Sequence, residues 1–300
     1  MNERVLRIPC GGLSLVGILS LPAADASADI GVLIIVGGPQ YRAGSHRQFT
    51  LLARHLAAQG FPVLRFDYRG LGDSPGDTRD FLDVESDIRA AIDALMAAQP
   101  ELRGVALWGL CDAASAALMY VESTRDSRVQ ALALLNPWVR SAQSLAKTHV
   151  QHYYWRRLRD PAFWRKLLRG GVGMGALRGL ARNVQLARAD GVQAARTRSF
   201  QDHMADGLHS FTAPILLVLS GEDLTAKEFV TWANASPDRQ ALLEGPQVQR
   251  HELPGADHTL SAIADHNAMC TLVAGWLAEV SPSAGQLAAT GLASQHLDQP

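Results

Sequence analysis

Cysteine is scarce in this sequence. Its 300 residues hold three, Cys10, Cys111 and Cys270. They are far apart and odd in number, with neither a disulfide framework nor a metal-ligand spacing. That usage fits a reducing compartment. Long apolar runs are lacking as well. No stretch approaches the roughly 20 apolar residues of a membrane-spanning helix. The opening MNERVLRIPCGG has no apolar segment of signal-peptide length. The expectation is a cytoplasmic protein without a membrane span. Nor does one sign of charge dominate: 28 Lys and Arg stand against 29 Asp and Glu, a net charge of −1. With that balance and no nucleic-acid reading module, a nucleic-acid partner is not expected. No tandem repeat is found. The glycine-rich GGVGMG at 170–175 follows no strand, so it is not a dinucleotide fingerprint. Neither a metal nor a cofactor is expected.

What is present is a chain that is 47% hydrophobic, ample for a sizeable core. Short apolar runs alternate with amphipathic stretches. Val5–Pro9 and Ser14–Leu21 read as strands of an opening hairpin around Gly11-Gly12. GVLIIV at 31–36, FPVLRFD at 61–67, the run 105–108, VQALALL at 129–135, PILLVLS at 214–220 and 248–253 read as further strands. Residues 46–59, 83–98, 227–235 and 261–280 read as helices, with Phe49, Leu52, Ala53 and Leu56 marking the inner face of the first. Apolar strands alternating with helices predict an α/β fold, a mostly parallel sheet of about eight strands with helices on both faces.

Residues 138–206 break that alternation. They carry 13 Lys or Arg against 4 Asp, so the rest of the chain is net acidic. This segment reads as a basic helical insertion over the carboxyl ends of the strands. Its arginines either favour an anionic substrate or simply solvate an exposed helical face. The last stretch, 281–300, is rich in Ser, Ala, Gly and Gln and reads as a mobile tail.

The chemistry centres on GVALWGLCDAASA at 104–116. A buried strand runs into Gly109-Leu110-Cys111-Asp112-Ala113 and then into a strong helix former. A nucleophile elbow needs that context: strand, sharp turn, helix, with small residues flanking the nucleophile. Here Cys111 stands at the nucleophile position and Ala113 at the second small one. The motif alone does not separate a nucleophile from a small buried thiol. A thiol with a free pKa of about 8.5 needs a base to react well near neutral pH, and the base needs an orienting carboxylate. Loops at the carboxyl ends of two later strands supply candidates. Asp223 lies in Gly221-Glu222-Asp223, with Glu222 its nearest rival, and His258 lies in Gly255-Ala256-Asp257-His258. Asp257 reads as a loop-stabilising residue. The chain order is nucleophile, acid, base.

Acyl chemistry also needs donors for a developing oxyanion. The backbone N–H of Asp112 is one candidate. Gly38, in the Gly37-Gly38-Pro39-Gln40 loop, is the second, with Gln40 its rival because Pro39 has no N–H. Arg42 and His46 lie close in sequence to that loop and are candidates to touch substrate. Trp138 follows a strand end and either lines the pocket or packs. Asp67, Arg69, Gly70, Gly72 and Ser74 form a polar turn that reads as holding loop geometry.

The segments GGPQYRAGSHRQF, FDYRGLGDSPG, WGLCDAAS, LNPW, SGEDLTAKEF and GADHTLS together resemble the α/β-hydrolase superfamily, in its serine-aminopeptidase-like branch. More closely, the elbow GLCDAAS resembles the exosortase A system-associated hydrolase 1 group. The resemblance covers about residues 5 to 280. It implies an α/β-hydrolase core over 1–136 and 211–280 and a cap over 137–210. It also implies a bacterial setting of protein sorting and exopolysaccharide synthesis. The implied nucleophile, acid and base fall on Cys111, Asp223 and His258. One departure is Val36, where the usual pattern has a histidine before the glycine pair. The expected activity is hydrolysis of an ester or thioester through an acyl-cysteine. The expected partner is a small-molecule acyl substrate, possibly anionic. An acyltransferase using the same intermediate and a non-catalytic interaction protein on the same fold are the alternatives.

Overall fold

A computed structural model describes residues 2–23, 28–38, 40–140 and 198–281. The body of the expected cap and the tail beyond Ser281 lie outside the described residues.

Two long strands open the chain, β1 (Asn2–Cys10) and β2 (Leu13–Leu21), paired antiparallel from Asn2 opposite Leu21 to Cys10 opposite Leu13. Then come β3 (Ile30–Ile35), β4 (Val63–Phe66), β5 (Gly104–Leu110), β6 (Val129–Leu135), β7 (Ile215–Ser220) and β8 (Val248–Leu253). They form one sheet in the order β1-β2-β4-β3-β5-β6-β7-β8. The pairs from β4 through β8 are parallel, and β2 joins β4 antiparallel. The expected eight-stranded, mostly parallel sheet is therefore present. Residues of β3, β4, β5 and β7 are buried throughout, as continuous apolar runs demand when both faces are covered. Among the described residues, no helix is long and apolar enough to cross a membrane.

The described helices are α1 (Gln48–Ala58), α2 (Glu85–Ala98), α3 (Asp112–Thr124), α4 (Phe200–Ser210), α5 (Leu224–Asn234), α6 (Pro237–Leu243) and α7 (Ile263–Val280). On α1, Phe49, Leu52, Ala53 and Leu56 are all buried, the face expected from their three- and four-residue spacing. Phe49 meets Trp108 of β5 edge to face, with ring centroids 5.5 Å apart. α6 was not expected from the sequence. Its signal is Ser236-Pro237, an N-cap residue followed by a proline at the first helical position.

The chain divides into two compact units, one of residues 1–139 and 203–300, the other of residues 140–202. These boundaries differ from the expected 136/137 and 210/211. The reason is that α4 from His203 onward belongs to the core unit. Met204 and Leu208 are buried, and a β-carbon on Gly207 would lie 2.3 Å from the Leu118 carbonyl oxygen.

Gly109 closes the sheet against α3. A β-carbon there would lie 2.6 Å from the Ala113 carbonyl carbon, a backbone atom that cannot swing aside. Gly109→Ala is expected to destabilise the protein by about 1–3 kcal/mol through overpacking, whereas Gly255→Ala meets nothing within 4 Å and serves as the near-neutral comparison. Urea unfolding of both variants checks this, and equal midpoints would remove the packing argument.

Candidate active site

β5 ends at Leu110 and α3 begins at Asp112, so Cys111 alone makes the turn. Its backbone sits at φ 64°, ψ −125°. A non-glycine residue in this region costs on the order of 1–3 kcal/mol and persists only where its surroundings impose it. The Cys111 N–H donates to the Leu135 carbonyl at 2.9 Å. Its own carbonyl accepts from Ala114 at 3.1 Å, Ser115 at 3.3 Å and Trp138 at 3.2 Å. This strained geometry places the thiol at the carboxyl end of the sheet, ahead of the helix.

The other two side chains arrive from the ends of β7 and β8. Backbone bonds stitch their loops together: Gly221 N–H to Leu253 O at 2.9 Å and Glu222 N–H to Ala256 O at 3.0 Å. Asn136 pins the start of the first loop, donating to Ser220 Oγ at 2.9 Å and accepting from the Ser220 N–H at 2.8 Å. Asp223 caps α5, its Oδ1 accepting from the Thr225 N–H at 2.9 Å. Its Oδ2 lies 2.8 Å from His258 Nδ1. Asp223, not Glu222, therefore meets the histidine.

Asp223 is 4% exposed. Burial opposes its charge, but the bonds from His258 and from the Thr225 and Ala226 N–H groups outweigh that, and its pKa lies below the ordinary value. An ionised carboxylate only accepts, so Nδ1 of His258 carries a proton and Nε2 remains for Cys111. The Asp223 carboxylate and, next, the Cys111 side chain hold the proton on His258. Burial opposes them, and the His258 pKa is pushed up to about 10.

A cavity of about 370 Å³ opens beside these groups, lined among the described residues by Gly38, Gln40, Cys111, Asp112, Trp138 and His258, together with Gly37, Phe49, Phe81 and Leu110. The structure thus brings together Cys111, Asp223, His258, Gly38, Asp112, Gln40 and Trp138. It does not bring Arg42 or His46 to this cavity. The Arg42 guanidinium pairs with buried Asp67 and with Asp73, at 2.5 Å for the second, and its N–H donates to Asp67 at 2.7 Å. His46 sits in a turn of 3-10 helix at φ 52°. Arg42 joins two loops through these pairs. Ser74 Oγ donates to the Asp67 carbonyl at 2.8 Å, and Arg69 pairs with buried Asp87, so this turn holds loop geometry as expected. Asp257 accepts the Thr259 and Ser261 N–H groups at 2.9 and 3.1 Å, which stabilises its own loop.

Of the two expected oxyanion donors, Gly38 is already engaged. The Gly38 N–H does not point into an open hole. It donates to both carboxylate oxygens of Asp112, at 2.8 and 2.9 Å. The sequence reading used only the Asp112 backbone and missed its side chain. The available signal was an acidic residue at the first position of a helix, where the positive helix end attracts a carboxylate. Phe49, Phe81 and Leu110 also line the cavity without having been singled out for it.

The sheet order, the turn at Cys111 and the loop positions of Asp223 and His258 are those of an α/β-hydrolase. Residues 30–262 match the family described as serine aminopeptidase, S33, and the chain belongs to that family of hydrolases. The residue at the elbow is nonetheless a cysteine. Many solved structures share the fold, three of them as follows. The esterase Pf2001 of Pyrococcus furiosus is 16% identical, with a TM-score of 0.60, over 93% of this chain and 92% of that one. Est1E from Butyrivibrio proteoclasticus, solved with ferulic acid bound, is 17% identical, with a TM-score of 0.60, over 91% and 98%. The haloalkane dehalogenase DatA from Agrobacterium tumefaciens C58 is 18% identical, with a TM-score of 0.60, over 93% and 98%. No curated protein matches the sequence significantly.

The raised His258 pKa has a defined sign. The folded protein keeps this proton to higher pH than the unfolded chain, whose histidine titrates near 6.5. The resulting stability is full below about 6.5 and is lost as pH rises through about 10. Asp223→Asn should move the His258 NMR titration down toward the ordinary value and flatten the loss of stability across that window. An unchanged midpoint would show that Asp223 does not hold the proton.

Proposed function

We propose that this protein hydrolyses an ester or thioester through a Cys111–His258–Asp223 triad and a covalent acyl-cysteine. The observation that carries this reading is the bond of His258 Nδ1 to Asp223 Oδ2, 2.8 Å, with the strained Cys111 and His258 lining one cavity. Cys111 Sγ attacks the carbonyl carbon, and the thiol proton rests on His258. The tetrahedral intermediate collapses, and His258 gives that proton to the leaving alcohol or thiol. Water then attacks the thioester while His258 takes its proton. The carboxylic acid leaves, and the proton returns to the Cys111 sulfur. Asp223 holds the imidazole orientation and stabilises its charged form.

A thiol nucleophile suits thioesters and activated esters, because the acyl-cysteine is itself a thioester of similar energy. Amides are poorer substrates on the same argument. The fold shared with an esterase and with a protein that binds ferulic acid supports ester chemistry. The three free thiols fit a cytoplasmic protein. The elbow GLCDAAS supports a link to an exosortase and exopolysaccharide system.

Intact mass after incubation with acyl-CoAs and nitrophenyl esters tests this. Wild type should gain an acyl adduct that decays in water, and Cys111→Ala should gain none and lose turnover by at least about a thousandfold. Turnover retained in Cys111→Ala would sink the assignment. An adduct that persists until an alcohol or sugar is added would replace hydrolysis by acyl transfer. His258→Ala should slow iodoacetamide alkylation of Cys111 near neutral pH, and equal rates in both proteins would reject His258 as the base.

A further inference from the structure

The backbone donors beside Cys111 already hold an acceptor. Gly38 donates to both oxygens of the Asp112 carboxylate, and the N–H groups of Ala113 and of Asp112 itself face the same carboxylate. Two of these, the N–H groups of Gly38 and Asp112, are the ones that an acyl oxyanion formed at Cys111 would require. The fit is built in: a β-carbon on Gly37 would lie 2.4 Å from Asp112 Oδ1, so a side chain there would expel the carboxylate. Two negative groups cannot share one set of donors. Turnover through an oxyanion therefore requires Asp112 to leave.

A destination adjoins the site. A second cavity of about 280 Å³ shares Gly38, Phe81 and Asp112 with the first and is also lined by Tyr68 and Arg79. Tyr68 is 3% exposed, and among the described residues its hydroxyl has no hydrogen-bond partner. Arg79 Nε is likewise buried without a partner among the described residues, while its Nη1 is paired with Asp83. Buried donors without partners are rare enough to need a reason. Burial, and next the Asp112 charge, hold the Tyr68 phenol well above its usual pKa, so it stays a donor. Asp80 also lines this cavity and opposes the arrival of a second carboxylate, and the Arg79 guanidinium lines it beside Asp80.

We propose that Asp112 is a two-position gating residue. Its carboxylate fills the oxyanion hole of the resting protein and turns to the Tyr68 hydroxyl and Arg79 Nε when a substrate carbonyl enters. This rests on the acyl chemistry proposed above.

The test compares two reactions of Cys111 in the full-length protein. Acylation by nitrophenyl acetate needs the oxyanion hole, and alkylation by iodoacetamide does not. Asp112→Ala should accelerate acylation by on the order of tenfold, the equivalent of releasing one charge-assisted hydrogen bond, and leave alkylation within about twofold. Asp112→Asn keeps the shape without the charge and should fall between. Tyr68→Phe should slow acylation severalfold in the presence of Asp112 and have no effect in the Asp112→Ala background. A purely structural tyrosine would act alike in both. Acylation of Asp112→Ala with wild type inert would also support the gate. Wild type acylated and Asp112→Ala no faster, with alkylation intact, would overturn the gate alone. Neither protein acylated while both are alkylated would overturn the gate together with the acyl reading.

Discussion

The backbone at Cys111 is strained, and the site's geometry follows from how that strain is held. A residue with a β-carbon avoids φ 64°, ψ −125°. Four hydrogen bonds keep Cys111 there, tying one residue to β6, to the first turn of α3 and to the chain after β6. Gly109 lets α3 approach close enough to make them. The sheet register, through Leu110 opposite Leu135, sets where the Leu135 carbonyl stands. Strand pairing thus determines where the thiol projects, some way removed from any contact the thiol itself makes.

The second layer of constraint is electrostatic. The positive end of α3 and the Gly38 N–H make a place for one negative group. Three groups compete for this neighbourhood: the sulfur if ionised, the Asp112 carboxylate and an oxyanion. His258 adds a positive charge close by, held there by Asp223, whose own charge is secured by the start of α5. A helix terminus supports each anion, α3 at Asp112 and α5 at Asp223. The two loops that carry acid and base are fixed to each other by backbone hydrogen bonds.

Much of this was legible in the residues. The eight strands, the opening hairpin and the buried face of α1 follow from runs and spacings that local sequence expresses directly. The loops bearing Asp223 and His258 were found because strand ends in a parallel sheet share one edge. What was not legible depends on contacts distant in sequence. Arg42 looked available because Asp67 and Asp73 lie 25 and 31 residues away. The Asp112 side chain meets Gly38 across 74 residues. The assignment of α4 to the core rests on Gly207 lying against Leu118, which no pattern within α4 announces.

α3 also holds the two places where the core unit is interrupted. Trp138 is tied to its beginning through the Cys111 carbonyl and Ser115 Oγ, the latter at 2.7 Å. His203 is tied to its far half through Glu122, at 3.0 Å. From Ser115 to Glu122 a helix rises roughly 10 Å. The points where the chain leaves the core and returns to it are thus two fixed posts on a single rigid rod. Both ends of the core unit's interruption are therefore anchored on one helix, so α3 serves the core as a hinge pin as well as the carrier of the elbow.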